Sequence, residues 1–109
     1  MSNETNSMKV AGELGPIVYN RNVFATIARN VIEDEKNVEL VDNTKISRND
    51  RLATIEDGKL YLTIPVRIGC QANVSDVCAN LQNKIFETIE YMTEYKPEAI
   101  KIQVVGFIF

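Results

Sequence analysis

Asp57-Gly58 stands between two runs of alternating character, LATIE before it and KLYLTIPVRI after it. A two-residue Asp-Gly link flanked by apolar alternation is the strongest short-range signal for a β-hairpin, because both central residues must take positive φ. That turn fixes the register: Ile55 must face Leu60, and Ala53 must face Leu62. Strand side chains alternate with period two, so Ala53, Ile55, Leu60, Leu62, Ile64, Val66 and Ile68 share one face. Leu52, Thr54, Tyr61, Thr63, Pro65 and Arg67 share the other. Pro65 has no N–H to give a ladder, which predicts an edge or a bulge at that point.

A sheet with one apolar face needs a cover, and two helical patterns supply it. After the short strand GPIVYN, Asn20 is a suitable N-cap for a helix carrying Val23, Phe24, Ile27, Ala28, Val31 and Ile32 on one stripe. The acidic trio Glu33, Asp34 and Glu35 sits badly at the negative end of the helix dipole, so the helix should fray there. Asn73, with Asp76 three residues on, opens a second helix. Its stripe is Val74, Val77, Cys78, Leu81, Ile85, Ile89 and Met92. AIKIQVVGFIF closes the chain as a strand. Residues 38–50 stay open between a short VELV strand and irregular chain. The expected fold is α+β: a two-layer β-α-β-β-α-β order, a small mixed sheet with two helices on one face, and the last strand parallel to the one before the long helix. At 109 residues the chain holds one domain. Residues 1–14 are expected to be a flexible N-terminal segment and 15–109 the domain.

The chemistry available is thin. There is no histidine, the commonest general base and metal ligand. Cys78 falls on the apolar stripe and reads as a small core residue. Cys70 precedes the helix cap, but a thiol nucleophile needs a base and a structural zinc needs four Cys or His ligands. Asp50, Glu56 and Asp57 fit a solvated hairpin tip, and Glu87, Glu90 and Glu94, interrupted by Lys84, a solvated helix face. No glycine-rich phosphate loop occurs. No catalytic residue, metal, cofactor or small-molecule substrate is therefore expected. The net charge of −3 argues against a nucleic-acid surface, although Lys45, Arg48, Arg51, Lys59 and Arg67 fall in one stretch. An RNA-associated, KH-like module is the alternative reading, lacking the G-x-x-G loop of that class. The polar opening MSNETNS has no signal-peptide order, and no apolar run reaches the roughly 20 residues of a membrane span, which reads as cytoplasmic.

GPIVYNRNVFATIARNVIEDEKNV and LYLTIPVRIGCQANVSDVCANLQNKIFETIEYMTEYKPEAIKIQVVG together resemble the alkaline shock protein family (YloU-like proteins). The spacing from Asn73 to Gln82 and the triplet Tyr91-Met92-Thr93 are the most telling parts. The resemblance implies a small cytoplasmic bacterial protein of cell-envelope stress or homeostasis. It implies a protein partner or self-association, and membrane association only through a separate anchor protein. It carries no catalytic residues. Pro65 departs from the β-branched residue usual at its position, and would oppose assembly that extends the sheet through that strand. Cys70 departs as well.

The final strand holds the candidate interaction site. With Ile100, Ile102, Val104 and Ile108 on the core face, Val105, Phe107 and Phe109 are expected on the opposite face, where Lys101 and Gln103 are polar. Three apolar positions in a row form a patch of the kind that marks contacts. Either they dock a second copy or another protein, or the N-terminal segment around Met8 and Val10 covers them.

Overall fold

The computed structural model describes residues 7–41 and 52–109. In chain order the elements are β1 (Ser7–Val10), β2 (Ile17–Asn20), α1 (Arg21–Glu33), β3 (Val38–Leu40), β4 (Ala53–Glu56), β5 (Lys59–Gly69), α2 (Val74–Thr93) and β6 (Ala99–Ile108). The α+β class holds, with two helices and two sheets. The order is richer than the expected β-α-β-β-α-β. Ser7–Val10, expected to be flexible, pairs antiparallel with Ile17–Asn20 in a separate two-stranded sheet. VELV resolves into β3, antiparallel to β5.

β5 is the spine. On one side it pairs antiparallel with β4 over Lys59–Leu62 and with β3 over Val66–Ile68; on the other it pairs parallel with β6. The hairpin register is the one the turn dictates, Ile55↔Leu60 and Ala53↔Leu62, with Asp57 and Gly58 at φ 54° and 73°. Pro65 is neither on an edge strand nor on the bulged strand. It lies where one flank ends and the next begins: Thr63 N–H donates to Leu52 O, and Val41 N–H donates to Pro65 O. The missing donor falls at the junction of β4 and β3, so a proline is tolerated in a central strand.

The inner row Leu60, Leu62, Ile64, Val66 and Ile68 is almost wholly buried, in one cluster with Phe24, Ile27, Ala28 and Ile32 of α1 and Leu81, Ile85 and Ile89 of α2. Burying each large aliphatic chain contributes about 1.5–3 kcal/mol. Each helix starts where an asparagine caps it: Asn22 N–H donates to Asn20 Oδ1, and Asp76 N–H to Asn73 Oδ1. Details of the stripes differ from expectation. Ala25 is buried and Val23 exposed; Thr93 is buried and Met92 exposed. Thr93 earns its place by donating to Ile89 O and accepting from Tyr95 N–H, which satisfies backbone groups at the end of α2. Leu52, expected on the outer face, is buried at the start of β4.

Leu81→Ala and Ile85→Ala should each cost about 2–5 kcal/mol in urea denaturation, the usual range for buried large-to-small changes. Losses below about 1 kcal/mol for both would place that helix face in water rather than on β5.

Candidate interaction surface

β5 is eleven residues long, so its two ends lie roughly 33 Å apart. At the starting end, β1 lies beside the Asp57-Gly58 turn, Ser7, Met8 and Lys9 lining a shallow depression with Gly58 and Tyr95. Met8 is buried there, Tyr95 Oη donates to Gly58 O at 2.9 Å, and Tyr19, Phe24 and Tyr95 form a chain of tilted ring contacts at 6.1 and 6.2 Å. The tip of this small hairpin exposes Leu14, Ile17 and Val18. The candidate residues of β6 lie at the other end, opposite Ile68 and Gly69. Met8 and Val10 therefore do not cover them.

β6 does not keep the same side chains on one face along its whole length. Val66 pairs with Val104, but Arg67 pairs with Gly106, so Val105 is an inserted residue of a β-bulge. Past it the alternation inverts. Phe107 pairs with Ile68 and takes the helix side, while Ile108 pairs with Gly69 and takes the outer side. Val105, Phe107 and Phe109 thus do not form one row. They are still exposed, at 52%, 47% and 99%, and Ile108 joins them at 37%. An apolar cap wraps the end of β6 instead of lying on one face of it. The signal that could have located the bulge is Gly106, because an isolated glycine inside a strand pattern often marks one. A Cβ there would come within 3.6 Å of the Arg67 side chain, whose guanidinium is held by Glu39 at 3.2 Å.

The rest of β6 presents an open edge. Among the described residues it pairs with β5 alone. Val41 and Leu52, which flank residues 42–51, both bond β5 on the side away from β6. Gln82 Nε2 donates to Ile100 O at 3.0 Å, so that carbonyl points away from β5. Backbone direction alternates along a strand, so Ile102 and Val104 point their N–H and C=O groups outward too. Beyond the bulge, Cys70 N–H donates to Ile108 O. Ile108 therefore faces β5, and Phe107 faces outward.

The thiols are free and apart in role. Cys70 is exposed beside Ala72, Ile108 and Phe109 in a shallow depression. Cys78 is half-buried against the core, less enclosed than its stripe position suggested, and desolvation raises its pKa above the ordinary thiol value. Among the described residues no three His, Cys, Asp or Glu side chains converge as metal ligands, and no helix is long and apolar enough to cross a membrane. Lys45, Arg48, Asp50 and Arg51 lie outside the described residues. Comparison with known protein families, characterised proteins and solved structures finds no match.

In the native protein at neutral pH, a maleimide should modify Cys70 well before Cys78, and alkylation of Cys78 should need a more alkaline pH than an open thiol does. Equal rates for the two, with the fold intact by circular dichroism, would mean that α2 does not hold Cys78 against the sheet.

Proposed function

We propose that this chain is a non-catalytic interaction and assembly module of the cytoplasm, and that it docks protein through the apolar end of β6. The observation that carries the reading is the exposure of Val105, Phe107, Ile108 and Phe109 together. Single exposed apolar residues are ordinary, whereas four within the last five residues of one strand end favour a contact. The alkaline shock resemblance supports the same reading and adds its setting, cell-envelope stress or homeostasis. Any membrane contact then runs through a separate anchor protein. The KH-like RNA alternative draws little from the outer face of the sheet, where Arg67 is engaged by Glu39 and Tyr61 is half-buried.

Replacing Phe107 and Phe109 with Ser together should leave the far-ultraviolet spectrum unchanged and shift Tm by no more than about 4 °C, the scale of a roughly 1 kcal/mol change. The same variant should sediment as a smaller species than the wild type, or lose the bound partner. If the variant unfolds and the wild type is monomeric at high concentration, the rings are core and the docking reading is wrong.

A further inference from the structure

Resting on the docking reading above, we infer that the occupant of this surface is a second copy of the same chain, paired edge to edge and antiparallel through β6 about a two-fold axis at Ile102. An unpaired strand edge is a template for another strand, and soluble proteins usually blunt it. β6 is blunted in one place, by the bulge at Val105. The straight segment Ala99–Val104 before it has no proline. Its one charge, Lys101, points to the outer face, and its core-side chains Ile100, Ile102 and Val104 are only partly buried. Their counterparts on β5 are buried completely. The row is thus apolar along an edge that has no partner strand among the described residues.

The register follows from which groups are free. Ile102 is the middle of the outward-directed set Ile100, Ile102 and Val104, so a two-fold there lets Ile102 exchange both backbone bonds with its own copy. Ile100 then faces the partner's Val104, and Lys101 faces the partner's Gln103. Like charges are kept apart, which a two-fold at Lys101 would not achieve. Gln82, which now satisfies Ile100 O, would hand that carbonyl to the partner strand. The row of α2 on the same side as Gln82 carries Ser75, Ala79 and Phe86 without charge before it reaches Glu90, which is paired with Lys96 of its own chain. A neighbouring α2 can approach between Ser75 and Phe86 without burying an ion.

The area is also of the required size. At roughly 200 Å² per phenylalanine side chain, the exposures of Phe107 and Phe109 leave about 300 Å² of ring surface per copy. A stable interface needs roughly 600 Å² from each side. The antiparallel partner brings its own chain just before Ala99 alongside Phe107, and the six-residue edge with its half-buried aliphatic row supplies the remainder. The rings alone would not suffice, so the edge has to take part in the contact.

Lys101 and the partner's Gln103 form a pair without mutual backbone bonds, whose Cα atoms lie about 4.5 Å apart, inside the range a disulfide spans. The test places Lys101→Cys and Gln103→Cys together in a Cys70→Ser, Cys78→Ala background and oxidises the protein mildly. The expected result is a covalent dimer of twice the 12.3 kDa chain mass, with neither single cysteine variant cross-linking efficiently, and a wild type that sediments as a dimer. The reduced double variant should keep the wild-type circular dichroism spectrum. A wild type that stays monomeric at all concentrations overturns the inference, yet leaves docking of a different protein standing if the Phe107, Phe109 variant still folds. A dimeric wild type whose double variant does not cross-link, or whose single variants cross-link as well as the double, overturns the edge register while the docking reading survives.

Discussion

The backbone of β5 is the constraint on which the rest depends. A strand buried on its inner face and flanked on both sides must find a partner for every N–H and C=O, because an unpaired buried amide costs about as much as several exposed ones gain. β4 and β3 take the groups on one side in two short pieces, and β6 takes the other side along nearly the whole length. Pro65 fits only because its absent donor falls where those pieces meet. With the backbone satisfied, the row from Leu60 to Ile68 can be wholly aliphatic, and α1 and α2 have one surface on which to pack.

This arrangement sets which backbone groups are left over. Saturating β5 leaves β6, like the outer edges of β3 and β4, bonded on one side only among the described residues, and β6 is the longest of these three edges. Pro65 lies in the central strand, so it places no limit on pairing through the free side of β6. The bulge at Val105 divides β6 into a straight segment suited to pairing and an end where apolar side chains point both ways. The small β1–β2 hairpin occupies the far end of β5, anchored by Met8 and the Tyr19, Phe24 and Tyr95 rings. Its exposed tip lies too far away to screen Phe107 or Phe109.

What was legible in the sequence is what local chemistry decides. Asp57-Gly58 specifies its turn and thereby four cross-strand pairs. Asn20 and Asn73 cap the helices they precede, and the α2 stripe is right wherever a side chain faces β5. The failures are non-local. Ser7–Val10 becomes a strand only because Ile17–Asn20 is there to pair with it, and four residues carry too little periodicity to reveal that. Met92 and Thr93 exchange roles because the end of α2 needs a hydroxyl for Ile89 O and Tyr95 N–H more than a thioether against the core. Phe107 changes face because one inserted residue inverts every later side chain. Its exposure, and so its place in the candidate surface, was nevertheless readable from two phenylalanines near the end of a strand.

The central claim is that the outward backbone groups of β6 are satisfied by another copy of the chain. Amide hydrogen exchange followed by NMR over a range of protein concentrations addresses it residue by residue. Ile102 and Val104 N–H should gain protection as concentration rises, while Val66 and Ile68, bonded inside each copy, should stay slow throughout. Exchange of Ile102 and Val104 at the same fast rate from the lowest to the highest concentration would show that the edge stays in water, and the account of assembly through β6 would be wrong.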